Sequence, residues 1–240
     1  MALPFFYTDE IKTNATQFVL NEETSKHVVQ VLRMQDGGQL LLTDGKGNLF
    51  NAEIIDENRK KCTVKILSVS TDPPTKKKNT IAISLVKNST RFEWFLEKAT
   101  EIGVNEIVPL LCSRTEKQHF RRERMKSILI SAMLQSQQSW LPELHEPIKY
   151  NEYLKHVKED TTTLQKFIAH CEEENSKLHL TKSISTNSTE RLILIGPEGD
   201  FTPEEIAEAL RKNFLAVAFG DTRLRTETAG VVAATLLCNY

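Results

Sequence analysis

Leu192-Ile193-Leu194-Ile195-Gly196-Pro197-Glu198-Gly199-Asp200-Phe201-Thr202-Pro203-Glu204-Glu205 reads as a short apolar strand, a glycine-marked loop and the start of a helix. Leu215-Ala216-Val217-Ala218-Phe219-Gly220-Asp221-Thr222-Arg223-Leu224-Arg225-Thr226-Glu227-Thr228 repeats that arrangement. Thr202 is a helix cap, Pro203 suits the first turn, and Glu205 closes a capping box. Glycines let a backbone approach a ligand closely. Two such loops leaving neighbouring strands meet at one edge of a sheet, where open α/β sheets bind ligands. Neither loop has the Gly-Lys-Ser/Thr ending of a Walker loop or the Gly-x-Gly-x-x-Gly spacing. Taken alone, the first reads as a tight strand–helix turn as readily as a cradle. In the second, Arg223 and Arg225 carry forked donors for a phosphate or a developing oxyanion; an internal brace to Glu227 is the plainer alternative. Ala229 to Cys238 carries no charge, so it is a buried packing helix or a subunit interface.

Working back from there, strand and helix patterns alternate. Strands are expected at Thr80 to Val86, Glu106 to Leu111 and Lys166 to His170. Helices are expected at Arg91 to Ile102, closed by Gly103, at Arg122 to Gln138 and at Asn151 to Lys158. The polar stretch Glu172 to Glu190 reads as a mobile excursion. This alternation predicts a mostly parallel sheet with helices on both faces over residues 80–240. The run Pro73-Pro74-Thr75-Lys76-Lys77-Lys78-Asn79, residues 73–79, is a linker. Residues 1–72 read as a small β-barrel. Its strands are Phe18 to Leu20, Gln39 to Thr43, Leu49 to Ile55 and Cys62 to Val69. Asp44-Gly45-Lys46-Gly47 is a hairpin turn, and Thr24 to Leu32 a helix with Val28, Val31 and Leu32 inward.

Of the 240 residues, 40% are hydrophobic and 26% charged, and the net charge is −1. No global field therefore draws the chain to nucleic acid or membrane. Local patches must do so, and one spans Arg114, Lys117, Arg121, Arg122, Arg124 and Lys126. The four cysteines are dispersed and read as reduced thiols of a cytoplasmic protein. The dispersed histidines point to no metal site. There is no signal peptide and no membrane-spanning run.

Leu194-Ile195-Gly196-Pro197-Glu198-Gly199 with Phe201-Thr202, followed by Leu224-Arg225-Thr226-Glu227-Thr228-Ala229, resembles the RsmE family of ribosomal RNA uridine methyltransferases, of the SPOUT class. The resemblance spans the chain. It includes His27-Val28-Val29-Gln30-Val31-Leu32-Arg33-Met34, Asp44 to Gly47, Leu85-Val86-Lys87, Glu97 to Val104, Pro109-Leu110, Arg114 and Gln135-Ser136. It implies a PUA-like barrel, then an α/β methyltransferase domain with a C-terminal trefoil knot. It implies S-adenosylmethionine as cofactor, a homodimer, and methylation of ring nitrogen 3 of one uridine in 16S rRNA of the small ribosomal subunit.

The residues it implies for the cofactor are Leu110, Ile195, Gly196, Pro197, Glu198, Gly199, Phe219, Gly220, Leu224 and Thr226. Arg225, Glu227 and Arg114 are implied for catalysis: Arg225 or Arg114 to stabilise charge on the uracil carbonyls, and Glu198, Glu227 or water to accept the proton. His27, Arg33, Lys46, Arg121, Arg122 and Arg124 are implied for the RNA. The chain departs from the family at Asp200, where glycine is usual, at Gln138, where arginine is frequent, and at Arg223, displaced by one position. A SPOUT enzyme acting on a ribose oxygen and a non-catalytic ribosome assembly factor are the alternatives. Whole-chain resemblance favours the uridine enzyme over the first, and the intact loops disfavour the second.

Overall fold

The computed structural model describes residues 3–116, 119–159, 162–172 and 177–240. Met1, Lys117 of the basic patch and residues 173–176 of the polar stretch lie outside the described residues. The chain divides into two compact units. One is Met1–Pro74 with Met133–Leu141; the other is Thr75–Ala132 with Pro142–Tyr240.

In the first unit β1 (Phe5–Tyr7), β2 (Gln17–Val19), α1 (Glu22–Lys26), β3 (Gln39–Thr43), β4 (Asn48–Asp56) and β5 (Thr63–Thr71) follow in chain order. The sheet order is β1-β3-β4-β5-β2. Bulges between Asn51 and Ala52 and between Ile54 and Asp56 disturb the β4–β5 ladder, the device that bends a strand. Alternate residues of these strands, among them Leu40, Leu42, Phe50, Ala52, Ile54 and Val64, bury into one core with Val28.

The expected helix to Leu32 is different in detail. His27–Val31 is a π-helical turn, whose wider winding breaks the helical periodicity. Val28 stays fully buried, but Val31 is 66% and Leu32 41% exposed. Met133–Leu141, placed by sequence with the C-terminal domain, belongs to this unit. Leu141 donates to the Gly45 carbonyl and Gly47 donates to that of Ser139, both at 2.9 Å, so the glycine hairpin's open backbone receives the segment.

The second unit comprises β6 (Lys78–Ser84), α2 (Ser89–Ile102), β7 (Glu106–Leu111), α3 (Arg122–Gln135, whose last residues belong to the first unit), β8 (Glu143–Leu144), β9 (Ile148–Lys149), α4 (Tyr150–His156), β10 (Leu164–Ala169), β11 (Leu178–His179), α5 (Leu180–Ser183), β12 (Glu190–Ile195), α6 (Pro203–Arg211), β13 (Leu215–Ala218) and α7 (Thr226–Asn239). β6 takes in Lys78 and Asn79, which the sequence reading left in the linker. All its strand pairs are parallel, in the order β11-β13-β10-β12-β6-β7-β8, with β9 also on β7. The expected parallel α/β sheet is therefore present. The stretch expected to be a mobile excursion instead supplies, in its described part, the edge strand β11 and helix α5. Its alternation is too short to stand out in a polar run.

The sheet's central strands read as continuous apolar runs because both faces are covered. Leu192, Leu194, Leu110 and Ile168 pack with Phe201, Ile206 and Tyr150 in one core. Arg191 is fully buried; its guanidinium donates to the Leu237 carbonyl at 2.6 Å, near the end of α7.

Candidate active site

The C-terminal ends of β10, β12 and β13 open into one cavity of about 560 Å³. The two glycine-marked loops line it, as the motif reading expects. They do not, however, leave neighbouring strands: β10 lies between β12 and β13. Its following residues, His170 and Cys171, therefore form part of the wall, with Ala169 and Lys177. Sequence reasoning missed these residues, since nothing in β10 marks it as the strand between.

The first loop is held on several sides. Thr202 and Glu205 form the expected capping box. The Glu205 carboxylate accepts from the Thr202 N–H at 2.9 Å and from the Ser113 N–H at 2.8 Å. Thr226 donates to the Gly196 carbonyl at 3.0 Å, fastening the start of α7 to this loop. Lys87 N–H donates to the Glu198 carboxylate at 3.0 Å. Arg114, expected near the reacting base, instead donates to the carbonyls of Gly199 at 2.8 Å and Phe201 at 3.3 Å. It is a brace on the loop and is not among the cavity-lining residues.

Asp200 has a left-handed backbone, φ +64°, which explains why glycine suits this position. Aspartate tolerates it through a local hydrogen bond: its carboxylate accepts from the Phe201 N–H at 2.9 Å.

In the second loop, Phe219, Gly220, Asp221, Arg223, Leu224, Arg225 and Thr226 all line the cavity. Thr181 N–H donates to Nδ1 of His179 at 3.4 Å, leaving Nε2–H to donate to the Phe219 carbonyl at 3.0 Å. Arg225 is the N-cap residue of α7 and is exposed. Glu227 takes a different position. It is 6% exposed, stands 3.7 Å from Arg91 of α2, and is not in the lining. Of the remaining expected cofactor residues, Ile195, Gly196, Pro197 and Glu198 line the cavity, while Leu110 and Gly199 do not; Leu110 is fully buried in the core.

The proposed RNA contacts are dispersed. His27, Arg33 and Lys46 are exposed on the first unit. In the basic patch, Arg124 makes a bidentate pair with Glu93 at 2.7 and 2.6 Å. Arg122 pairs with Glu146 at 3.0 Å, and Arg121 donates to His119. The partners come from other elements, so counting charges along the patch overstates its free cations. Gln138 donates to Ser136. Among the described residues, one group could offer three metal ligands, Glu106, Glu143 and His145; Lys78 and Thr80 already hold Glu106, each at 2.7 Å. No helix among the described residues is long and apolar enough to cross a membrane.

Residues 73–238 match the model of an RNA methyltransferase domain, and residues 20–67 that of an RNA methyltransferase PUA domain. The fold resembles a probable rRNA-methyltransferase from Porphyromonas gingivalis, with TM-score 0.89 and 37% identity over 98% of this chain and 97% of that one. It also resembles ribosomal RNA small subunit methyltransferase E from Neisseria gonorrhoeae, solved bound to S-adenosyl methionine (TM-score 0.86, 28% identity, 98% and 97% coverage). Ribosomal RNA small subunit methyltransferase E of Synechocystis sp. is 30% identical, over 86% of this chain and 68% of that protein. A PUA domain and a parallel α/β domain with its loops gathered at one sheet edge thus make up an RNA methyltransferase. The chain belongs to the ribosomal RNA small subunit methyltransferase E family.

Proposed function

We propose that this protein uses S-adenosylmethionine to methylate ribosomal RNA of the small ribosomal subunit, at ring nitrogen 3 of one uridine in 16S rRNA. The observation that carries the reading is the cavity: its volume of about 560 Å³ falls in the range of small-molecule sites. Ile195, Val217, Leu224 and Ala229 give it apolar surface for an adenosine, and Glu198 a carboxylate for a sulfonium. When bound, S-adenosylmethionine supplies an already activated methyl group, so the protein's work is chiefly to position and to stabilise charge. Ring nitrogen 3 of uracil must lose its proton, and the flanking carbonyl oxygens then gain negative charge. Arg225, at the cavity wall, is the cation we assign to that charge. Glu198, in the same wall, or water takes the proton. The target base is unstacked to reach the cavity, and Arg33, Lys46 and Arg121 contact the RNA backbone.

A trefoil knot and a homodimer belong to the same proposal. The fastening of Thr226 to Gly196 is in keeping with the first, and the uncharged run Ala229 to Cys238 with the second. So does action in the cytoplasm, with ribosomal RNA as substrate. Calorimetric titration with S-adenosylmethionine tests the cofactor: folded protein that binds none would remove the enzyme reading. Mapping methyl marks in rRNA of a deletion strain tests the target. Loss of one base mark at uridine nitrogen 3 is expected; loss of a ribose mark instead would move the chemistry to a 2′-oxygen.

A further inference from the structure

We infer that Asp200 is a positioning residue for the cofactor, tying the loop after β10 to the loop after β12 across the cavity wall. The inference rests on the methyltransferase reading above. β10 lies between β12 and β13, so the cavity has a third wall, and a side-chain connection joins that wall to the first loop. Asp200 makes it: one carboxylate oxygen accepts from the Phe201 N–H at 2.9 Å, and the other accepts from the Cys171 N–H at 2.7 Å. Its own N–H donates to the Pro197 carbonyl at 2.9 Å, closing the turn. Asp200 and Cys171 both line the cavity.

The backbone geometry separates the side chain's work from the turn's. With φ at +64°, glycine would adopt this conformation more easily than aspartate. The turn therefore does not require the carboxylate; the bond to Cys171 does. Arg114 holds the same loop from a different direction through the Gly199 and Phe201 carbonyls. Arg114 thus fastens the loop's backbone, and Asp200 sets how far the β10 loop stands from it. A charge-assisted bond to an amide is short and directional, which suits a residue that sets a spacing.

Cys171 provides a reporter that is independent of turnover, because it is the exposed one of the four cysteines while Cys62 and Cys112 are buried and Cys238 is partly so. The experiment compares the full-length protein with Asp200→Gly and Asp200→Asn. Labelling of Cys171 by a thiol reagent, assigned by peptide mass, is followed without and with S-adenosylmethionine; binding and steady-state constants are measured alongside. Asp200→Gly is expected to label several-fold faster without cofactor. Its Kd and KM for S-adenosylmethionine should rise about tenfold, the effect of losing one hydrogen bond to a charged group, with kcat within about twofold of the parent. Asp200→Asn should fall between, since an amide offers one acceptor oxygen for two N–H groups. An Asp200→Gly protein with the parent's labelling rate, or with the parent's Kd, overturns the inference. A parent that binds no S-adenosylmethionine, while Asp200→Gly still labels faster, overturns the functional reading and reduces Asp200 to a structural tether.

Discussion

At Gly196 a Cβ would stand 3.1 Å from the backbone nitrogen of Phe201 and equally close to its ring. Phe201 is fully buried and packs on Tyr150 with ring centroids 5.3 Å apart, so it has little room to retreat. Gly196→Ala should cost about 1–3 kcal/mol, the usual penalty for overpacking, and weaken S-adenosylmethionine binding; urea unfolding and calorimetry would register both. Arg225 is exposed at the cavity, so Arg225→Ala should leave the melting temperature unchanged and lower turnover about a hundredfold or more. Unchanged single-turnover rates would take Arg225 out of the mechanism. Glu227 shows where nearness in sequence misleads. It lies two residues after Arg225 at a helix start, roughly 200° around the axis, and so turns toward Arg91 instead of the cavity. Its place in the first turn of α7 still suits a carboxylate, because the positive end of the helix stabilises one there.

Helix α7 carries most of the element-scale consequence. Gly230 lies against α2 and β6: a Cβ there would come within 2.6 Å of the Phe95 ring and 2.9 Å of Ile83. Helix propensity alone says that Gly230→Ala gains about 1 kcal/mol. Overpacking against a fully buried phenylalanine costs about 1–3 kcal/mol, so the substitution should destabilise on balance; a higher urea midpoint would show that the helices can separate. The strand and helix identities around α7 were largely legible. The capping box on α6 and the run from Glu106 to Leu111 appear where their residues predicted. The π-helical turn at His27–Val31 was not legible, because an added residue in one turn leaves no mark in composition. Nor was the pairing of Arg124 with Glu93, which joins residues far apart in sequence.

Across the second unit, the cavity occupies the C-terminal edge of the sheet, and an ion cluster occupies the start of β6 and β7. Burial would raise the Glu106 pKa, but bonds from Lys78, Thr80 and His145 and the charge of Lys78 hold it below the ordinary carboxylate value. A carboxylate depressed on folding adds stability above its unfolded pKa and loses it as pH falls through the folded one. Glu106→Gln should therefore destabilise at neutral pH by about 1–2 kcal/mol. The difference from the parent should shrink as pH falls below the ordinary carboxylate range, in urea titrations at several pH values; a constant difference would remove the charge from the explanation.

The amino-acid order alone was enough for the alternation of elements, the two glycine-marked loops and the capping box on α6, since each depends on neighbours a few residues apart. The order of the strands was not written there. Backbone hydrogen bonds are alike for every strand pair, and buried parallel strands all read as similar apolar runs. Only the packing of crossovers and helices put β10 between β12 and β13. That placement brought Cys171 to Asp200 and gave the cavity its third wall.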